Sequence, residues 1–216
     1  MKHRVRRVVG IILLLLAVAV IVYYTAEVII ARANTPRIVG EVYASGRIET
    51  EMETLSQRQI DILLAVEDPG FYRHHGVDFS TPGAGWTTIT QGLAKKFYFS
   101  DFQQGIQKIK QTLCAWLALN PLVSKQTQLE LYINLMCFGN GVYGLHDAAQ
   151  FYFGKTVPEL SEREFISLVA CLIDPAGLNP KDHSAENDTR VARIQKLLSG
   201  EYTPQDVFDI TYEGAG

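Results

Sequence analysis

The chain has 216 residues, of which 47% are hydrophobic, with 20 basic against 23 acidic side chains and a formal net charge of −3. That length supports one domain with a real core, and the acidic balance argues against nucleic acid as a partner. Cys114, Cys137 and Cys171 are odd in number and sit in apolar sequence without metal-like spacing, so free thiols are expected rather than a disulfide framework.

Residues 1–7 form a basic segment carrying Lys2, Arg4, Arg6 and Arg7. Residues 8–30 follow as an apolar run, strict to Val22, with Tyr23 and Tyr24 where aromatic residues favour an interface. A transmembrane helix needs roughly 20 mostly apolar residues, which the run supplies. A cleaved signal peptide is the alternative, but its apolar region spans roughly 7–15 residues, so the segment reads as a single-pass signal anchor. The basic flank places the N-terminus in the cytoplasm and the remainder outside. Without those four charges, 16 basic and 23 acidic residues remain, a net of −7.

Residues 31–54 read as a connector with strand character around Arg37–Tyr43, and 55–200 as one mainly α-helical domain. Helical patterns fall at about 56–67, 87–99, 103–119, 124–137, 144–152, 161–173 and 188–198, separated by loops rich in Gly, Pro and Asn. The tail, 201–216, is polar and is expected to be weakly ordered.

The first of these helices carries the strongest chemical signal. Ser56 with Gln59 is a capping-box pattern and Pro69 forbids continuation. Ile60, Leu63, Leu64 and Glu67 share one helical face, so a carboxylate sits on an apolar stripe. Burial raises the pKa of such a group, and a poised base is what general acid–base chemistry uses. Between Gly92 and Leu129, Lys95, Lys96, Lys108, Lys110 and Lys125 face the single acid Asp101. Two readings are open: a solvated cationic face, or a site for an anionic ligand. In the 103–119 helix, Ile106, Ile109, Leu113, Trp116 and Leu117 define a buried stripe at about 100° per residue. Lys110 falls on that side, with Glu67 or a phosphate as its expected partner, and Lys108 falls opposite.

These residues align with a family. Glu67-Asp-Pro-Gly-Phe71-Tyr-Arg-His74-His-Gly76 resembles the E-D-x-x-F-x-x-H-x-G motif of peptidoglycan glycosyltransferases of the lysozyme-like fold. Thr87-Thr88-Ile89-Thr90-Gln91-Gly92-Leu-Ala-Lys95 is similar to their S-T-I-T-Q-Q-L-x-K. Ser124-Lys125 through Leu129-Glu130-Leu-Tyr132-Ile-Asn134 resembles S-K-x-x-I-L-E-x-Y-L-N. Phe138-Gly139-Asn-Gly141-Val-Tyr143-Gly144, Tyr152-Phe153-Gly154-Lys155 and Leu172-Ile-Asp-Pro175-Ala-Gly-Leu-Asn179-Pro180 follow in family order. The resemblance covers about residues 55–195.

It implies a lysozyme-like helical domain on a transmembrane helix, in the bacterial inner (cytoplasmic) membrane with the catalytic part outside. The implied reaction polymerises lipid II into glycan strands and releases undecaprenyl diphosphate. Glu67 is the implied base for the acceptor 4-hydroxyl, and Asp68 holds the site's geometry or a lysine partner. Lys95 and Lys110 are implied at phosphate, and Thr88, Thr90 and Gln91 as donors to phosphate or sugar, against the plainer reading of a threonine helix cap. His74, Lys108, Asn134 and Tyr143 complete the substrate-binding set, with His74 also readable as a packing histidine. Implied partners are lipid II, the growing strand, membrane lipid, and transpeptidases or other cell-wall proteins. No Ser-x-x-Lys transpeptidase motif occurs and the chain ends soon after the domain, so cross-linking is expected from another protein.

Departures matter as much. Trp86 stands where the family has a small residue, and Gly92 and Lys96 replace Gln and Asn. The family's R-K-x-x-E motif, whose Glu stabilises diphosphate, often through a divalent cation, becomes Gln107-Lys108-Ile109-Lys110-Gln111. Either Gln111 or Lys110 takes the Glu position, and the helical wheel favours Lys110. If Lys110 meets the diphosphate directly, no cofactor is required; a divalent cation stays open as the alternative. Direct lysine catalysis, a degenerate lipid II-binding domain, and a lysozyme-like hydrolase with Glu67 as acid are the three readings, in that order.

Overall fold

In the computed structural model, which describes residues 2–215, side-chain caps set where half of the α-helices begin. A long first helix, α1 (Lys2–Ala44), is followed by α2 (Gln57–Glu67), α3 (Ile89–Tyr98), α4 (Ile106–Cys114), α5 (Lys125–Leu135), α6 (Leu145–Phe153), α7 (Glu162–Cys171) and α8 (Ser184–Ser199). Ser56, Thr88, Ser124 and Ser161 each accept a hydrogen bond from the amide three residues on, which satisfies a donor the helix leaves open. No strand occurs among the described residues, only an isolated bridge between Cys137 and Tyr143. The mainly helical class read from the sequence is what the chain adopts.

The centre is made by α5 and α7. Leu129, Leu131, Ile133 and Leu135 of α5 are buried, as is α7 from Phe165 to Cys171. α7 packs between α2 and α8, and α5 between α3 and α6. All three cysteines are free, with Cys114 and Cys171 buried.

The strand character expected around Arg37–Tyr43 is absent, because α1 runs unbroken through Pro36. Proline removes one helix bond, yet tertiary contacts hold that turn. Thr35 Oγ1 donates to the Ala31 carbonyl (2.7 Å) and pairs with the Tyr98 hydroxyl (2.7 Å), and Arg32 donates to the Leu117 carbonyl at 2.5 Å. Packing of α1 against α4 and the π turn after it, Ala115–Leu119, overrides the β-branched composition.

The stripe expected to be buried on α4 is instead the outer one. Ile106, Ile109, Trp116 and Leu117 are exposed, whereas Gln111, Cys114, Ala115, Ala118 and Leu119 face inward. Small side chains there let the neighbouring backbone approach. Gly76, at φ +94°, lies so close that a Cβ would stand 2.8 Å from the Ala115 carbonyl oxygen.

The segment after α8, expected to be weakly ordered, is docked through residue 215. Tyr212 is fully buried, its hydroxyl donates to the Val66 carbonyl (3.3 Å), and Glu213–Ala215 form a short 3-10 turn.

Gly76→Ala combines a disfavoured φ with a backbone clash, so a loss of about 1–3 kcal/mol is expected, read as a melting temperature lowered by about 2–4 °C per kcal/mol. An unchanged melting temperature would show that the π turn yields instead.

Candidate active site

Glu67 is the last residue of α2, and the face that α2 buries is Gln59, Ile62, Leu63 and Val66. The stripe drawn from the sequence is therefore rotated by about one position, and Glu67 lies at the margin of the core, partly open. Its Oε2 accepts from the Tyr132 hydroxyl at 2.5 Å. Burial raises the Glu67 pKa above the ordinary carboxylate value, against the Tyr132 hydrogen bond and the Arg190 charge, which both lower it.

Asp68 is fully buried, and both its oxygens are occupied. Oδ2 accepts from the Ile89 amide, the first of α3 (3.0 Å), and Oδ1 pairs with His74 Nε2 (2.8 Å). His74 Nδ1 accepts from the Gly76 amide (3.0 Å), so Nε2 carries the proton that Asp68 accepts. Both oxygens of Asp68 and both ring nitrogens of His74 therefore have partners within the fold.

The polar residues of the second motif are likewise absorbed. Thr88 caps α3 and donates to the Gly76 carbonyl (2.7 Å), and Thr90 donates to Gln128 Oε1 (2.6 Å). Gln91 closes the capping box on the Thr88 amide (3.0 Å) and donates to Thr112 (3.0 Å). All three side chains are bonded within the fold, and Thr88 with Gln91 forms the capping box of α3. Asn134 is bonded within the fold too. It accepts from the Glu49 and Thr50 amides and donates to the Thr50 and Glu130 carbonyls, fixing the linker that enters α2.

Of the two residues weighed at the third motif, Gln111 faces inward and Lys110 does not. Gln111 is buried, donates to the Gln91 carbonyl (2.8 Å) and keeps Oε1 without a partner. Lys110 points the other way, pairing with Glu27 of α1 at 2.6 Å, on the wall of a cavity of about 450 Å3 between α1 and α3–α4 that Glu67 does not line. The wheel failed because it took the outer apolar stripe for the core.

Lys108, expected opposite the apolar side, is half-buried. Its Nζ donates to Thr87 Oγ1 (2.8 Å), and burial, with Lys95 nearby, lowers its pKa to about 8. Lys95 is exposed, 5.0 Å from the Phe102 ring centre. Tyr143 is exposed with Lys96 over its ring at 4.3 Å, and no contact joins it to Glu67.

Arg190 was missed, and Tyr132 and Lys125, both inside the Ser124–Asn134 motif, were given no individual role. Tyr132 and Lys125 stand seven apart on one face of α5, a spacing visible in the sequence. The Lys125 ammonium is enclosed without a hydrogen-bond partner, 4.4 Å from the Phe71 ring centre, and burial lowers its pKa to about 8 against the pull of Asp68. Arg190 of α8 is buried, donates to the Ile210 carbonyl (3.0 Å) and supplies positive charge to Glu67. No local pattern marks it.

The residues do not fit a divalent ion at the third-motif position. Gln111 offers one neutral oxygen, and the one cluster of potential ligands among the described residues, Glu49–His146–Asp147, does not include it.

Comparison with known proteins agrees with this geometry. The Transglycosylase family model matches residues 36–199. The chain is similar to penicillin-binding protein 1A of Haemophilus influenzae, 32% identical over 187 residues, which is 80% of this chain and 22% of that protein. It is also similar to penicillin-binding protein 1F of Bacillus subtilis, 32% over 174 residues (74% of this chain, 24% of that protein). Penicillin-binding protein 1A of Escherichia coli is 34% identical over 182 residues (76% of this chain, 21% of that protein). The chain therefore belongs to the peptidoglycan transglycosylase family, and its matched part spans between a fifth and a quarter of these relatives.

A raised carboxyl pKa means that the folded state is penalised when Glu67 is charged. Glu67→Gln is expected to melt higher than wild type at neutral pH. The gain shrinks as pH falls through the folded-state pKa and vanishes below the unfolded value near 4.5. Melts by circular dichroism across pH check this, and a lower melting temperature at pH 7 would show that the fold needs the charge.

Proposed function

We propose that this chain polymerises lipid II into glycan strands, with Glu67 as general base. The observation that carries the reading is the Glu67 carboxylate at the margin of the core, its pKa raised by burial and its orientation set by Tyr132 at 2.5 Å. Glu67 takes the proton of the acceptor 4-hydroxyl as that oxygen attacks the anomeric carbon of the lipid-linked donor. The carbon–oxygen bond to diphosphate breaks, and the leaving group carries the electron pair away. Lys108, held by Thr87, and Lys95 supply positive charge for it. The fixed cations do the work that an acid–metal pair does elsewhere in the family.

The same reading puts residues 8–30 of α1 across the bacterial inner membrane, N-terminus inside. Helix α1 contains a window long and apolar enough to cross. The exposed Ile106, Ile109, Trp116 and Leu117 lie on α4 and its π turn, the elements α1 packs against, so they meet the bilayer surface beside a lipid-borne substrate. Transpeptidases acting on the product are the natural partners. A second reading, binding of lipid II without turnover, rests on Gln111 standing in the acid's place.

Polymer formation from lipid II, followed on gels with and without chelator, decides between them. Glu67→Gln is expected to reduce the rate by at least about 100-fold, with chelator leaving the wild type unchanged. No product from the wild type would leave the binding reading, and strong chelator inhibition would overturn the metal-free mechanism. Tyr132→Phe removes a hydrogen bond that lowers the Glu67 pKa, so the acid limb of the pH–rate profile is expected to move to higher pH. Lys108→Met is expected to cost about 100-fold in kcat, and Lys110→Met, which removes the pair with Glu27 and a contact over the Phe99 ring, far less.

A further inference from the structure

Trp86 departs from the family's small residue, and nothing in the reaction uses it. Its ring stacks on Phe208, from the segment after α8, with centroids 4.8 Å apart and planes at 26°. The same segment is bonded to the loop ahead of Trp86 by backbone. The Gly83 amide donates to the Asp206 carbonyl (2.9 Å) and the Gly85 amide to the Val207 carbonyl (2.7 Å). Both glycines have positive φ, +77° and +67°, and a Cβ on them would stand 3.1 Å from Pro204 and 3.0 Å from Ile210. Loop and segment therefore lie backbone against backbone because neither glycine carries a side chain.

The segment has its own order. The Asp209 carboxylate accepts from the Tyr202 hydroxyl and the Gln205 amide, and Asp206 caps the Phe208 amide at 2.7 Å. Its far end reaches the other side of the site. Tyr212 is fully buried at φ +53°, a conformation a bulky residue keeps only where packing holds it, and bonds the carbonyl of Val66, the residue before Glu67. One strap thus touches both Trp86, which precedes Thr87 and its Lys108 contact, and the turn that ends in Glu67.

We infer that residues 203–212 are a positioning strap of the active site, holding the loop between α2 and α3 so that the cationic edge at Thr87–Lys108 stays in register with Glu67. Phe208, Trp86 and Tyr212 are its positioning residues. The ligand consequence rests on the proposed function, since the cationic edge is where a lipid-linked diphosphate would seat.

The test uses the full chain in detergent micelles with two readouts that need no turnover. Hydrogen exchange of the peptide holding the Gly83 and Gly85 amides is expected to speed up about 3- to 10-fold in Phe208→Ala. Affinity for lipid II is expected to weaken by a similar factor, with Phe208→Tyr restoring both. Trp86→Ala combined with Phe208→Ala is expected to do no more than either alone, because they lose one shared contact. Unchanged exchange in Phe208→Ala overturns the strap, and faster exchange with unchanged lipid II affinity overturns its positioning role. A wild type that binds lipid II but makes no polymer overturns the glycosyltransferase reading and leaves the strap supported if both readouts move.

Discussion

One buried carboxylate holds the site together. Asp68 ends α2, and its two oxygens take the first amide of α3 and the His74 ring, so the whole excursion from Pro69 to Thr88 is closed at its base by this side chain. Burying a carboxyl group is costly unless its polar atoms find partners, and here geometry supplies them from two directions. Thr88 reaches back to the Gly76 carbonyl, and Gly76 lies against the π turn after α4. Glu67 precedes Asp68 directly, so its direction is tied to a neighbour whose two oxygens are already bonded within the fold.

Burial works on the charges of the site in opposite senses. It raises Glu67 and lowers Lys108 and Lys125 to about 8, because the charged form of either sign is what low polarity penalises. These groups are brought toward neutrality and toward one another. An arriving anion would favour the charged lysines again, so charge in the site is tied to occupancy. Gln111, buried with its Oε1 unpartnered, adds no charge of its own to this set.

Helix positions were legible in the sequence because their signals are local. Ser56 with Gln59, Thr88 with Gln91 and Ser161 with Glu164 are short-range contacts that a motif can display. What the sequence hid was direction. On α4 the large apolar residues face outward and Gln111 with small residues faces in, so hydrophobic periodicity pointed to the wrong side and sent Lys110 toward Glu67 instead of Glu27. The donors Thr88, Thr90, Gln91 and Asn134 were right in kind, yet all are consumed by partners 3 to 85 residues away. Arg190 and the segment after α8 act at even longer range, and the β-branched stretch after Pro36 was overruled by packing.

Helix α1 has a mechanical consequence. Its 43 residues at about 1.5 Å each make a rod of roughly 65 Å, twice a hydrocarbon core of roughly 30 Å. The part beyond Glu27 is fused to the domain through the Thr35–Tyr98 bond and the Arg32 contact to Leu117, with no hinge between. A domain mounted this way cannot swivel on its anchor. The domain follows the rod as a head follows a mast, and on the membrane reading proposed for α1 any tilt of that helix passes to the domain through the Thr35–Tyr98 and Arg32–Leu117 contacts.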